Sequence, residues 1–475
     1  MRRILLVTLP TLLAVAVCAS AFGATRQTSI EFDRADLGIE RVRSFDRIEW
    51  RGAARLAEVG EPALPVEIVR FVVPSGMTAR DVAVTSLAEE ALPGRYRVLP
   101  TQPEVPIGEE PRWADPDPSV YESDRPYPAE RVVLLGEGSL GGYRIATVAV
   151  YPLVYEPASG RLIQATAISL ELSLEPGGRE QAPRRRMTRR SSEVYRRAVE
   201  SMVVNSRDVS SAMDGVVQIV DGAFDEGFVP RHTPSLDGSP VEYVIITTED
   251  YESQFQTLAD WKTRKGIPAV VRTISWIETN YPGGCDTQEQ IRLFLQDAYE
   301  SWGTTYVLLG GDTDVVPARF GYTTYYAGES IPTDLYYSDL DGNWNGDGDD
   351  VFGEGYIGGA SAGDSLDLMP DVFVGRAPVN NIVEVDTFLD KCEAYEKTPV
   401  GYFTDRNLYL GEVLFPYDWE EGSAYSLDGA TDIIEPALAY VPGDIHNARL
   451  YANRDEFPET TPLNKTTSVD SINAG

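Results

Sequence analysis

The chain has few residues that could serve as a thiol nucleophile or an imidazole base, with three cysteines and two histidines among 475 residues. No histidine lies near Cys285 or Cys392 in the sequence, so neither has the local context of a nucleophile, although such partners can meet in space. Cys392 lies at a helical repeat position among apolar residues and is expected to be a buried small hydrophobe. Cys285 lies in a glycine-containing loop and is expected to be the more exposed. The sequence does not indicate a disulfide between them.

Positive charge is also scarce. The chain carries 41 Lys and Arg residues against 74 Asp and Glu residues, which gives a formal net charge of -33. Such an acidic balance argues against a nucleic-acid-binding surface. It favours an acidic extracellular or calcium-rich setting instead.

Long hydrophobic runs are limited to the N-terminus. An apolar run from Ile4 to Val17 follows Arg2 and Arg3, and small residues follow at 19–21. The run is too short and too early for a membrane span. We expect residues 1–21 to be a cleaved secretory signal peptide and the protein to be secreted.

Residues 25–175 contain short β-rich runs separated by proline and glycine. The clearest runs are Val66–Pro74, Arg131–Leu135, Tyr143–Val150 and Ala167–Leu174. In the last of these, apolar residues alternate almost perfectly, at Ile168, Leu170, Leu172 and Leu174. This pattern predicts an all-β domain, a sandwich or barrel with irregular loops.

Residues 176–238 contain the only strongly basic part of this acidic chain. Four of its arginines lie within 184–189 and are followed by Arg190, Arg196 and Arg197. A block of like charges between two folded regions is most simply an exposed linker. It is also a segment that a protease specific for basic residues would cut, and one segment can be both.

From residue 240 the pattern changes to alternating strands and helices. Strands are predicted at 243–246, 268–273, 306–309 and 372–376, and helices at 252–265, from Thr287 with a Thr287–Gln290 capping box, and at 384–397. This order predicts a doubly wound, mostly parallel sheet. The first strand–helix turns lack the glycine motifs that bind nucleotide phosphates.

An acidic loop between two of these strands has the most unusual chemistry in the chain. Short carboxylates and amides fall mostly on alternate positions among glycines, and calcium prefers six to eight such oxygens. The candidate calcium ligands are Asp339, Asp341, Asn343, Asn345, Asp347 and Asp349, with Asp350 beside them and Asp364 and Asp367 as possible additions. Asp334 is expected to be structural or to line a cleft. The alternative is a solvated acidic turn without an ion.

The assembled motifs resemble the gingipain-type cysteine peptidases. They are FQTLADWKTRKGIPAVV from Phe255, YVLLGGDTDVVPAR from Tyr306, TDLYYSDLDG from Thr333 and DVFVGRAPV from Asp371. The resemblance covers residues 240–475 and implies a caspase-like catalytic domain. It also implies that the preceding β-rich region is a propeptide that inhibits the enzyme intramolecularly, with the basic segment as the activation site.

In that family a histidine in a G-H-G motif and a later cysteine after alanine form the catalytic dyad, and this chain has neither motif. The resemblance therefore implies a dyad beyond residue 475. By position, Glu412 matches an acid that supports the histidine, or else is a solvated strand-end carboxylate. Asp432 matches an acid that lines the specificity pocket of arginine-specific members, and Asp428 is an alternative for that role.

Three functions remain open on the sequence alone. The first is a secreted, calcium-stabilised cysteine endopeptidase zymogen that hydrolyses peptides or proteins. The second is a non-catalytic secreted calcium-binding adhesion or interaction protein on the same fold. The third, a hydrolase that uses the strand-end carboxylates of Asp312 and Asp314, lacks an identifiable base.

Overall fold

The computed structural model describes residues 24–103, 113–177, 186–213, 218–220, 240–322, 330–354, 364–399, 401, 405–415, 419, 427–455 and 457–474. The predicted signal peptide and His232 lie outside these residues. Within them, no helix has the length and apolar character needed to cross a membrane.

The N-terminal region is built from antiparallel sheets. Its elements are β1 (Thr25–Glu31), β2 (Leu37–Val42), β3 (Phe45–Trp50), β4 (Ala54–Arg55), β5 (Pro65–Val72), β6 (Met77–Ala91), α1 (Pro118–Tyr121), β7 (Val132–Leu140), β8 (Tyr143–Val150), β9 (Leu153–Glu156) and β10 (Arg161–Pro176). One sheet has the order β1-β10-β6 with β9 also pairing β10, another has the order β4-β5-β8-β7, and β2 and β3 form a hairpin.

A hydrophobic core joins the two larger sheets of this region. The alternating residues predicted on β10 are buried, since Ile168, Leu170 and Leu172 are fully inaccessible. They belong to the same cluster as Phe71 of β5 and Val148 of β8. Because side chains alternate along a strand, one face of β10 enters this core while the other faces outward.

In the part of the arginine-rich segment that the structure describes, the chain is not the exposed linker that its charge suggested. Its described part forms β11 (Arg186–Thr188), which pairs with β12 (Gln218–Val220), and helix α2 (Arg189–Met202). The helix has Thr188 as its N-cap and buries Tyr195 and Val199. Repulsion between the arginines of the helix is offset because Glu193 Oε1 lies 2.6 Å from both Arg196 Nη2 and Arg197 Nε. The segment therefore folds as a packed helix, because burial of its apolar face stabilises it more than the repulsion of its arginines destabilises it.

The following region contains a four-stranded parallel sheet. Its elements are β13 (Tyr243–Thr247), α3 (Glu249–Arg264), β14 (Ala269–Thr273), α4 (Ile274–Asn280), α5 (Thr287–Asp297), β15 (Tyr306–Gly310), β16 (Arg319–Tyr322), β17 (Ser330–Thr333), α6 (Leu335–Ser338), β18 (Phe373–Ala377) and α7 (Ile382–Lys397). The sheet order is β14-β13-β15-β18, and β16 and β17 form a separate hairpin.

Helices cover both faces of this sheet, as the alternating pattern predicted. Phe255 of α3 and Val385 of α7 pack in one cluster, whereas Ile277 of α4 and Phe294 of α5 pack in another. Both clusters contain residues of β13, because Val244 and Ile246 point to one face and Ile245 to the other. The strands are consequently buried on both sides, which explains their continuous apolar sequences.

Two local predictions for these helices were wrong. Helix α5 is capped by Asp286, which accepts a hydrogen bond from the Glu289 amide at 2.8 Å, rather than by Thr287. Asp is an equally good N-cap, so the capping pair lies one residue earlier than predicted. On α7, Cys392 is only half-buried and Tyr395 is 64% exposed, so the apolar face predicted for this helix is not buried at its C-terminal end.

The C-terminal region adds a second small parallel sheet of order β19-β22-β23. Its elements are β19 (Arg406–Gly411), β20 (Val413–Phe415), β21 (Leu427–Asp428), α8 (Glu435–Leu438), β22 (His446–Tyr451), β23 (Thr461–Pro462) and α9 (Lys465–Ala474). Because β19 and β22 are parallel, the loops after Gly411 and Tyr451 leave the same edge of the sheet.

Candidate functional site

The acidic loop divides into two carboxylate groups. The inner group contains Asp339, Asp341 and Asp371, whose carboxylate oxygens lie within 4.8 Å of one another. The outer group contains Asp347, Asp349 and Glu354, with the same spacing. The six predicted ligands therefore do not surround one point.

The two asparagines of the predicted set support the loop itself. Asn343 Oδ1 accepts a hydrogen bond from the Asn345 amide at 3.3 Å. The Asn345 side chain donates to Asp350 Oδ1 and accepts from the Asp350 amide, both at 3.2 Å. These bonds hold successive turns together in the manner of Asx turns.

The inner group is buried. Asp339 follows α6 and is fully inaccessible to solvent, and its Oδ1 accepts a hydrogen bond from the Gly342 amide at 2.9 Å. Its Oδ2 forms no hydrogen bond of ordinary distance and angle with the described residues, although the Trp344 side chain and the Leu368 amide lie close enough to act against burial by lowering the pKa of this carboxyl. Burial raises the pKa of this carboxyl above its ordinary value. A buried carboxylate oxygen without a partner is costly, so the site favours a ligand that supplies positive charge.

Asp371 was missed by the sequence analysis as a member of this group. It lies 30 positions from Asp341 and two residues before β18, and its Oδ2 accepts hydrogen bonds from the amides of Leu340 at 2.9 Å and Asp341 at 3.2 Å. The signal that could have found it is its place at the start of a strand adjacent to β15. Carboxylates brought together in this way are the hard oxygen ligands that calcium prefers.

Two further groups shape the inner site. Arg292 donates to the main-chain oxygens of Asp339 at 2.7 Å and Gly342 at 2.6 Å, which fixes the turn between them. Gly342 has no room for a side chain, since a Cβ there would lie 2.6 Å from both carboxylate oxygens of Asp339. The loop thus holds the carboxylate of Asp339 in a close-fitting pocket of backbone.

The outer group is more open. Asp347 and Asp349 are exposed and Glu354 is half-buried. Asp364, predicted as an additional ligand, is buried and accepts hydrogen bonds from the amides of Gly346, Gly353 and Glu354 at 2.6–2.9 Å. Asp364 therefore orders the backbone of the loop. For the exposed carboxylates of Asp347 and Asp349, no observation besides their closeness to Glu354 indicates a bound ion.

Asp367, the other predicted addition, faces the N-terminal region. Its Oδ2 accepts a hydrogen bond from the Ser139 amide at 2.6 Å, and its Oδ1 accepts one from the Met369 amide at 2.7 Å. Burial first, and then the charges of Asp341 and Asp339, raise the pKa of Asp367 to about 7.

The strand-end aspartates after β15 act as turn caps. Asp312 Oδ2 accepts a hydrogen bond from the Asn380 side chain at 2.9 Å, and Asp312 Oδ1 accepts one from the Thr313 amide at 2.6 Å. These bonds lower the pKa of Asp312. Asp314 is exposed. This arrangement gives the carboxylates a structural use and supplies no general base.

Glu412 and Asp432 lie on neighbouring segments. Glu412 is exposed after β19, and its main-chain oxygen accepts a hydrogen bond from the Gly429 amide at 2.9 Å. Asp432 is exposed in the turn before α8, and its Oδ2 accepts one from the Asp428 amide at 2.7 Å. The fully buried Asp428 in turn accepts a hydrogen bond from Asn453, which follows β22, at 3.1 Å.

His446 does not join these residues. It begins β22, whereas Glu412 follows the end of β19 that pairs with Tyr451. At about 3.3 Å per residue, the two ends of β22 are roughly 16 Å apart. The exposed His446 is therefore remote from Glu412, the strand-end carboxylate that was expected to support a catalytic histidine.

Neither described cysteine lies in an environment that activates its thiol as a nucleophile. Both are free thiols. A hydrogen bond with Glu289 is the main cause that raises the pKa of Cys285 to about 11, and burial raises the pKa of Cys392. A reactive cysteine needs a lowered pKa, whereas the environments of Cys285 and Cys392 both raise the pKa of the thiol.

The sequence matches two family models, in order along the chain. Residues 14–199 match Propeptide_C25, and residues 237–475 match Peptidase family C25.

Named relatives come from Porphyromonas gingivalis. Lys-gingipain W83 is 23% identical over 400 residues, which cover 79% of this chain and 19% of the relative. Gingipain R2 is 23% identical over 445 residues, which cover 92% of this chain and 50% of the relative. The chain thus spans between about a fifth and a half of the length of these relatives.

Among solved structures, the complex of the pro- and mature domains of RgpB from P. gingivalis matches 40% of this chain and 96% of that chain, at 18% identity and a TM-score of 0.32. The Arg-specific cysteine proteinase gingipain R matches 51% of this chain and 47% of that chain, at 21% identity and a TM-score of 0.33. The peptidase model alone covers half of the sequence, and the propeptide model precedes it. The chain therefore belongs to peptidase family C25 and carries a C25 propeptide ahead of its peptidase region.

Proposed function

We propose that the protein is a secreted cysteine endopeptidase made as a zymogen, in which the N-terminal region inhibits the peptidase region. The observation that carries this proposal is the order of the two family matches, a propeptide followed by a peptidase. The N-terminal region also packs against the peptidase region, through contacts such as the hydrogen bond between Ser139 and Asp367. Secretion is supported by the signal-peptide pattern at residues 1–21.

The proposal places the catalytic Cys–His dyad outside residues 1–475, because the described thiols are poorly suited to the role. The cysteine thiolate would attack the peptide carbonyl, the histidine would protonate the leaving amine, and backbone amides would stabilise the oxyanion. Glu412 would orient the histidine from the strand edge that it shares with Asn453. Asp432 would attract a basic substrate side chain, since its carboxylate is exposed.

The test is to express the complete gene product and assay it on peptide substrates with Arg or Lys before the scissile bond. Hydrolysis that is abolished by a thiol alkylator would support the proposal. Hydrolysis that resists alkylation would rule out a cysteine mechanism.

A second candidate, a non-catalytic calcium-binding adhesion or interaction protein, is favoured by one observation. Both described thiols have raised pKa values and so are held in the protonated form. A complete chain without G-H-G and without a later cysteine, inactive on every basic peptide, would favour this candidate over the peptidase.

We also propose that calcium binds the inner group of Asp339, Asp341 and Asp371. Its support is twofold: the carboxylates of the three residues lie within 4.8 Å of one another, and the buried Oδ2 of Asp339 forms no hydrogen bond of ordinary geometry with the described residues. An ion that binds only the folded state raises the thermal midpoint. An unchanged midpoint in millimolar calcium, relative to chelator, would refute the site.

A further inference from the structure

One arm of the acidic loop, residues 364–371, contacts the N-terminal region directly. The Ser139 amide near the end of β7 donates to Asp367 Oδ2 at 2.6 Å. The neighbouring Gly138 approaches so closely that a Cβ there would lie 2.9 Å from both Asp367 Oδ2 and Met369 Sδ. The last residues of β7 therefore rest on this arm with little space between the β7 backbone and the side chains of Asp367 and Met369.

A second contact comes from helix α2. Tyr195 is fully buried, and its hydroxyl donates to the main-chain oxygen of Asp371 at 2.6 Å. Its ring stacks on Phe373 with the centroids 5.5 Å apart and the planes 18° from parallel. On its other side, Tyr195 packs in a cluster with Leu140 and Tyr143 of the N-terminal sheet. Tyr195 thus joins the two regions at the residue that ends the arm.

Asp371 belongs both to this interface and to the inner carboxylate group. Its side chain accepts hydrogen bonds from the amides of Leu340 and Asp341, and its own amide donates to Ser338 at 2.8 Å. Its main-chain oxygen holds Tyr195. Because one residue supplies both groups, a backbone shift at Asp371 that moves its carboxylate also moves the acceptor on which Tyr195 depends.

Without a cation, the three carboxylates of the inner group repel one another across a few ångströms in a poorly solvated site. That repulsion favours separation of Asp371 from Asp339 and Asp341. A bound cation reverses the sign of the interaction and holds Asp371 in the position observed here. Two events that require the same position of one residue stabilise each other reciprocally.

We propose that the arm 364–371 is the docking surface for the N-terminal region and that calcium at Asp339, Asp341 and Asp371 strengthens the docking. This coupling rests on the calcium site proposed above. It assigns the ion a role in holding the propeptide on the peptidase region, in addition to local stability of the loop.

The test measures hydrogen exchange of the whole chain in millimolar calcium and in chelator, with calcium affinity measured separately by calorimetry. Calcium should slow exchange in peptides that cover β7 and α2, outside the loop that holds the ligands. By reciprocity, Tyr195→Phe should weaken calcium binding by up to about fivefold, the factor that corresponds to the whole contribution of one lost hydrogen bond. The substitution keeps the stacked ring, so folding should be preserved.

Tyr155→Phe is the matched control. Tyr155 is also buried, and its hydroxyl donates to the Tyr96 main-chain oxygen at 3.3 Å within the N-terminal region. This variant should leave calcium affinity unchanged. Equal affinities of the Tyr195→Phe variant and the unsubstituted protein would overturn the coupling.

The outcomes separate the two proposals. If calcium binds but slows exchange only within 334–371, the docking role is wrong and the calcium site stands. If calorimetry detects no calcium binding, the site is wrong and the coupling falls with it. Neither result bears on whether the complete protein is a peptidase.

Discussion

Arg376 and Asp334 form a two-pronged ion pair at the carboxyl end of the parallel sheet. Arg376 Nε lies 2.8 Å from Asp334 Oδ2, and Nη2 lies 2.7 Å from Oδ1. The remaining nitrogen, Nη1, donates to the main-chain oxygens of Gly311 at 2.7 Å and Val316 at 2.6 Å. One side chain on β18 therefore fixes both the turn after β15 and the start of α6, which leads into the acidic loop.

Replacement of this arginine should be strongly destabilising. Arg376→Met would leave the carboxylate of Asp334 and two carbonyl oxygens without their donors, so we expect a loss of about 3 kcal/mol in the free energy of unfolding. Urea denaturation measures it. Arg55→Met is the control, because Arg55 pairs with Glu49 at 3.3 Å with half of each side chain exposed. That pair should contribute less than about 1 kcal/mol, and comparable losses in the two variants would contradict the assignment.

Asp339→Asn should have opposite effects with and without calcium. In chelator the variant should be as stable as the unsubstituted protein or more stable, because a buried charge with an unpartnered oxygen is removed. In calcium the variant should lose most of the ion-induced rise in thermal midpoint. Asp347→Asn, at an exposed position, should keep that rise. A rise that disappears in the Asp347 variant but persists in the Asp339 variant would place the ion in the outer group.

Asp367 should make stability fall as the pH rises. The pKa of Asp367 is about 7 in the folded chain, whereas the ordinary pKa of an aspartate is 3.8, so between these two pH values the folded state holds a proton that the unfolded state has lost. Stability contributed by this proton is complete below about pH 4 and is lost as the pH rises through 7, with a slope of at most about 1.4 kcal/mol per pH unit. Urea denaturation in chelator at several pH values should show the slope.

Asp367→Asn should flatten that dependence, because the amide does not titrate but can still accept the Ser139 hydrogen bond. An unchanged slope in this variant would assign the effect to other carboxylates.

Gly141→Ala should disturb the contact between the N-terminal sheet and α2. Gly141 has φ +59, and a Cβ there would lie 2.1 Å from Tyr195 Cδ1. We expect a loss of more than about 2 kcal/mol, from backbone strain and overpacking together. Gly76→Ala is the control, because Gly76 has φ +75 and nothing within 4 Å of the added Cβ. The Gly76→Ala variant should lose only about 1 kcal/mol in the free energy of unfolding, from backbone strain alone. Equal losses for Gly141→Ala and Gly76→Ala in urea denaturation would rule out the steric contact with Tyr195.

Cys285 should react slowly with alkylating agents. With a pKa of about 11, its thiolate is roughly a hundredfold rarer at pH 8 than that of a thiol with the ordinary pKa of 9.0. Higher nucleophilicity of the thiolate offsets part of this, so alkylation should be about tenfold slower. The rate with iodoacetamide in a Cys392→Ser background measures it. Glu289→Gln should accelerate the reaction, and an unchanged rate would show that Glu289 does not protect the thiol.

Much of the secondary structure follows from local sequence patterns. The alternation on β10 and the apolar strands β13 and β15 predicted both their position and their burial, because strand periodicity is a property of neighbouring residues. The adjacency of β15 and β18 followed from the rule that successive parallel strands share a sheet. Where these local predictions were wrong, the error was small; for example, the N-cap of α5 is Asp286 instead of Thr287.

Other features depended on contacts between distant parts of the chain. The arginines around α2 indicate an exposed linker when taken alone, yet Tyr195 and Val199 are buried against two different regions. Likewise, the alternating oxygens of the acidic loop suggested one six-ligand site. The fold instead brings Asp371 to Asp339 and Asp341 and leaves Asp347 and Asp349 with Glu354.

The sequence by itself therefore determined the strands and helices of the four-stranded parallel sheet, the acidic loop and the family, since each rests on patterns of residues close together in the chain. Only the tertiary structure decided which carboxylates meet and what α2 packs against. The physical reason is that a buried charge or a buried aromatic ring is stabilised by whichever groups the fold places around it, and those groups come from segments that the local pattern does not connect.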